Sequence, residues 1–285
     1  MNNIFNFKRF GLVLRKDLME NYNRYMLLFL TMLGIMTIVL TWQSWDYYSA
    51  IKRNGSSYVN LNIVLLSYLS IMFGTFGLIF ASTFMSPMNS RIKRATFLVS
   101  PSSNFEKFLS RWIIITIGYI AAFFATLWIA ETLCVGICSA RFPDLEIKFL
   151  DLTRLTSMGN DWENSEYLFE EDLFMIIISL YFLFQSIFIL GSTFWEKAGF
   201  IKTFTVGTVI ILAFIQLCRW TILFFYEDFS NFTNVLHSFE STHKGRAGLG
   251  QIFTPAITLV ILVFTLTNWI LAFFRLRESE VIKRF

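Results

Sequence analysis

Histidine, cysteine and charge are scarce in this chain, and each shortage removes a class of function. The two histidines, His237 and His243, lie in one connector. No His-Glu-x-x-His, Gly-x-Ser-x-Gly or Gly-x-x-x-x-Gly-Lys-[Ser/Thr] pattern occurs, so no signature of a zinc protease, a serine hydrolase or a nucleotide-binding loop is present. Of the three cysteines, Cys134 and Cys138 are spaced i, i+4. On a regular helix that is too far for a disulfide, and three cysteines are too sparse for a metal centre, so they read as small buried apolar residues. Charged residues make up 15% of the chain, well below the quarter or so of a soluble domain, while 55% is hydrophobic and 18% aromatic. An ordinary soluble domain is excluded.

What is present is six long apolar runs, at residues 25–42, 61–85, 112–130, 173–195, 203–226 and 252–274. A bilayer core takes about 20 apolar residues at about 1.5 Å of rise each, and all six runs lie near that length. The expected fold is all-α, a polytopic membrane protein with six transmembrane helices. Residues 1–24 form a leading amphipathic segment, 25–274 the six-span domain and 275–285 a basic tail. The first run follows a mixed leader and is too long for a signal-peptide core, so no cleavable signal is expected.

The net charge of +4 is sided rather than spread. Sixteen of the 24 Lys and Arg residues fall in the leader, the second and fourth connectors and the tail; seven fall in the other connectors, and Arg219 lies within a span. The positive-inside rule then places both termini in the cytoplasm, with the chain expected in a bacterial inner membrane and no role in nucleic-acid binding. In the leader, Phe7, Phe10, Leu14 and Leu18 draw an apolar stripe flanked by Lys8, Arg9, Arg15 and Lys16. That is the pattern of a helix lying in the membrane interface among lipids.

The connectors differ in character. The first, residues 43–60, reads as a short polar turn around Asn54-Gly55-Ser56-Ser57. The third, 131–172, is the longest, and from Ser139 onward it holds nine acidic residues against three basic. The fifth, 227–251, carries Phe229, Phe232, Leu236 and Phe239 at helical spacing, then Gly245, Gly248 and Gly250, with Pro255 close behind. It reads either as a surface helix and turn or as backbone re-entering the bilayer. Two charges intrude on the spans. Glu131 lies about 28 Å along the third from Trp112, and Arg219 about 26 Å along the fifth from Lys202, so they share a depth. They are expected either to pair, since a lone charge near mid-bilayer costs about 3 kcal/mol, or to reach the interface separately.

The second connector combines two pieces. Residues 90–99 read as a segment that can form a short helix, basic at Arg91, Lys93 and Arg94 and apolar at Ile92, Phe97 and Leu98, closed by Pro101. Ser103 and Glu106 then supply a capping box that opens the next helix. Six spans with both ends inside, a leading amphipathic helix and a charged helix between spans two and three resemble the permease subunits of ABC-type exporters. The likeness is to the six-helix class that moves lipid-linked glycans, drugs and peptides. It covers nearly the whole chain as architecture. Its one motif runs from Thr96 to Leu109, resembling that family's connector of an apolar residue, a proline and then Glu before apolar residues.

The resemblance implies that Arg91, Ile92, Lys93, Arg94, Thr96, Phe97 and Leu98 belong to a coupling helix. This would seat on a cytoplasmic ATP-binding-cassette ATPase. It also implies half of a translocation pathway, completed by a second copy or a sister permease. The chain itself would be no enzyme and hold no cofactor or metal, ATP being used by the partner. A membrane scaffold or assembly protein, and a free-standing secondary transporter, are the alternatives. The inverted repeats and midplane charges typical of the latter are not evident.

Overall fold

A chain whose apolar runs are too long to bury against so little polar sequence folds into long helices. The structure is a computed structural model that describes residues 5–54, 60–86, 94, 97, 101–152, 173–195, 198–226 and 247–282, without the side chains of 54, 173–174, 226, 247–254 and 279–282. Among the described residues there are helices and no strands. They are α1 (Phe7–Glu20), α2 (Tyr22–Asn54), α3 (Leu61–Ser82), α4 (Asn104–Ile113), α5 (Tyr119–Arg141), α6 (Leu173–Phe194), α7 (Gly199–Tyr226) and α8 (Ala247–Ile282). A π-helical turn, Ile114–Gly118, joins α4 to α5 without a break. Six of these helical stretches are long and apolar enough to cross a membrane, and the protein is an integral membrane protein.

Local sequence sets several helix ends. Asn6 caps α1 by accepting from the Lys8 N–H (3.0 Å), and Asn60 caps α3 by accepting from the Asn62 N–H (3.1 Å). The first span overruns its expected end. Residues 43–54, read as a polar turn, continue α2 because Ser44 and Tyr48 are buried against α5 and the segment after it. Ser44 Oγ accepts from Cys134 Sγ (3.5 Å), and the Tyr48 ring lies 6.1 Å from Phe142. In the same way Glu131–Arg141, assigned to the third connector, is the last part of α5. Gly248 and Gly250 lie within the first turns of α8, ahead of Pro255. Residues 227–246 of the fifth connector and the acidic stretch 153–172 lie outside the described residues.

Two packed clusters hold the bundle together. One joins α2, α3 and α5 through Met36, Leu40, Leu69, Phe123, Leu127 and Cys138. The other gathers Phe84, Phe97, Phe108, Ile115, Ile189 and Leu276 at the end of the bundle where α1 and the last turns of α8 lie, here termed the terminal end. Helix α6 packs on α3, α7 and most extensively α8. Polar cross-links run through the apolar interior: Tyr119 donates to the Phe73 carbonyl (2.6 Å), and Asn268 Nδ2 donates to Ser186 Oγ (3.0 Å). Helix α7 differs from the rest, because none of its most apolar window is buried.

Candidate functional site

The densest set of buried charge lies at the terminal end, where α1 lies against α4. Helix α4 begins with the capping box: the Glu106 N–H donates to Ser103 Oγ (3.2 Å), and the Ser103 N–H donates to Glu106 Oε2 (3.1 Å). The same carboxylate reaches α1. Arg9 donates to it twice, from Nε to Oε2 at 2.6 Å and from Nη2 to Oε1 at 2.9 Å, and the Asn6 N–H donates to Oε1 at 2.8 Å. Glu106 is fully buried, and its two oxygens take four N–H donors, which makes the burial of the charge tolerable. The hydrogen bond to Glu106 raises the Arg9 pKa above its already high ordinary value.

Just over one turn further along α4, a second contact repeats the design. Asp17 of α1 is buried; its carboxylate accepts from Ser110 Oγ (2.9 Å) and from Arg111 Nη2 (3.4 Å). Arg111 also donates from Nη1 to the Phe84 carbonyl (2.8 Å) in the turn just after α3, so one guanidinium ties α4 to α1 and to that turn. Its plane covers the Phe97 ring at 4.8 Å, and Lys107 Nζ approaches the same ring at 5.2 Å. Beneath this layer Phe108 meets Phe84 (5.2 Å) and Phe273 (5.6 Å), and Trp112 meets Trp269 (5.1 Å), which fastens α4 to α8. An apolar groove of about 380 Å³ opens beside the site, lined in part by Tyr22, Tyr25, Phe29, Phe80 and Tyr119.

The residues singled out from sequence have different fates. Ser103 and Glu106 form the capping box, and Glu106 does more than cap. Phe97 is buried under Arg111 and Lys107, so its ring is spent inside the chain and is not offered to a partner. Arg94 is helical and half-buried. Arg91, Ile92, Lys93, Thr96 and Leu98 lie outside the described residues. The pairing of Glu131 with Arg219 is not found. The Glu131 carboxylate accepts from the Leu150 N–H, pinning the segment after α5 back onto that helix, while Arg219 is exposed on α7. The physical reason is competition: a backbone donor nearby in sequence reaches Glu131, and α7 packs chiefly on α6.

Asp17, Ser110 and Arg111 were not recognised as site residues in the sequence. A signal existed for the first: Asp17 stands three residues after Leu14 and seven after Phe10, so an acid shares a helix face with two half-buried apolar residues. No family model matches the chain, and no curated protein or solved structure matches it.

Proposed function

We propose that this chain is the transmembrane permease subunit of an ATP-driven exporter of the ABC type, forming half of a translocation pathway and coupled to a separate ATPase. The carrying observation is the double clamp of α1 onto α4 through Glu106 and Asp17. It joins a leading amphipathic helix and the Phe97 ring to α4, which runs on through the π-helical turn into α5, and we take these parts to move as one lever. A force applied to the connector is thereby delivered to a spanning helix rather than lost in a loop. The sided distribution of Lys and Arg supports placing this end in the cytoplasm of a bacterial inner membrane, where an ATPase is reached. The aromatic groove beside the lever suits an amphipathic cargo.

The lever assigns separate roles within the connector. Phe97 anchors it from inside, and Arg91, Lys93 and Arg94 are the residues we assign to the ATPase contact. Reversing those three residues to Glu is expected to release the ATPase from membranes or to uncouple ATP turnover from transport. Co-purification and ATPase assays in vesicles read this directly. Unchanged association and unchanged coupling in the triple variant remove the assignment.

A further inference from the structure

At the end of the bundle opposite the clamp, a groove of about 540 Å³ opens between α2 and α5. Its walls are Ile38, Thr41, Trp42, Trp45 and Asp46 of α2 and Ile137 of α5, with Thr37 at its deep end. From Asp46 back to Thr37 is about 13 Å by helical rise, so the groove runs along the span, from beyond the first apolar run into that run. Trp42 and Trp45 are both exposed, as indoles are at the level where acyl chains give way to head groups.

The two ends of the groove differ in chemistry. Ile38, Trp42 and Ile137 make the deep part apolar, whereas the mouth carries two opposite charges. Asp46 is exposed beside Trp45, and Arg141, the last residue of α5, lays its guanidinium over the Trp45 ring at 5.6 Å. The two charges thus flank one indole, yet no ion pair joins them. Among the described residues, no ion pair or hydrogen bond engages either side chain. A ligand of one charge satisfies one of them and repels the other. A zwitterion satisfies both.

We infer that this groove binds an aminophospholipid of the leaflet that borders it. Asp46 takes the ammonium, Arg141 takes the phosphate, and the face from Trp42 to Thr37 takes one acyl chain. The ammonium donates N–H groups to the carboxylate, and the phosphate oxygens accept from the guanidinium, so both contacts are charge-assisted. The chain contributes close packing rather than a hydrophobic gain, since the surrounding lipid is equally apolar. Selectivity therefore lies in the head group. An anionic phosphatidylglycerol leaves Asp46 without a cation, and a choline head group has no N–H to donate. The site requires only a chain that spans a membrane, so it stands apart from the export reading.

The test is lipid titration of the purified full chain in detergent, read by native mass spectrometry. The probes are phosphatidylethanolamine, phosphatidylcholine and phosphatidylglycerol with identical acyl chains. The wild-type chain is expected to hold phosphatidylethanolamine about three- to tenfold more tightly than either of the others. Asp46→Asn is expected to abolish the preference over phosphatidylglycerol, and Asp46→Glu to keep it. Arg141→Gln is expected to weaken phosphatidylethanolamine and phosphatidylglycerol alike. Both side chains are exposed and unpaired, so the variants are expected to unfold at the wild-type temperature, and the glutamate variant reads the charge even if the asparagine one does not. Equal retention of the three lipids by the wild type overturns the site. So does an Asp46→Asn or Arg141→Gln chain that binds like the wild type, which includes the cases in which the two charges pair with each other or another protein covers the groove.

Discussion

Glu106 shows how one carboxylate serves two structures at once. It completes the N-terminal cap of α4 and holds the start of α1, all with a single fully buried group. Removing the other half of the box, by Ser103→Ala, leaves Glu106 and its arginine in place and is expected to cost about 1 kcal/mol. Glu106→Gln keeps the shape but removes the charge that faces Arg9, and it exchanges one acceptor for a donor facing N–H groups. It is expected to be the more damaging change. Thermal unfolding of both variants in the same detergent checks the order, and a Glu106→Gln protein as stable as Ser103→Ala contradicts the shared role. Phe97 belongs to the same argument: its ring is a platform for two cations, so its apolar character serves packing within the chain.

Between helices, close approach is set by small residues where large ones press in. A Cβ added at Gly77 of α3 lies 2.5 Å from Tyr181 Oη and 2.7 Å from Tyr181 Cε2. That tyrosine has little room to retreat, since its ring lies 4.5 Å from Phe73 and 5.5 Å from Phe182. Gly77→Ala is therefore expected to force α3 from α6 at a cost of about 1–3 kcal/mol. Adding Tyr181→Phe, which removes the nearest atom, should recover part of it. A double-mutant cycle measures the recovery, and strict additivity argues against this contact. Gly191 of α6 meets Thr203 of α7 in the same fashion, which fixes the base of α7 while the rest of that helix stands clear.

At the scale of the whole molecule, the terminal end is braced by ion pairs to buried carboxylates and edge-to-face aromatics, while the most apolar stretch of α7 is left uncovered within the chain. A bundle built this way has one tightly braced end and one helix, α7, packed chiefly on α6. Orientation is the property that decides what the braced end meets. A reporter active only in the cytoplasm is expected to work at either terminus and to fail when inserted after Asn54. The opposite pattern would put the lever beyond the reach of any ATPase.

Six spans were legible from the sequence because length and hydrophobicity alone satisfy the bilayer, with no need to know which helix meets which. The capping box was legible for a similar reason, since its partners lie three residues apart. Helix ends were less so: residues 43–54 look like a turn by composition, and only burial of Ser44 and Tyr48 against α5 and Phe142 extends α2 through them. The clamp of α1 on α4 joins residues more than ninety positions apart, and the choice of Leu150 over Arg219 as the partner of Glu131 depends on which donor the packing brings within reach. Periodicity reports the face a residue lies on. The neighbour that face meets is decided by packing, so the spans belong to the sequence and the clamp of α1 on α4 belongs to the tertiary structure.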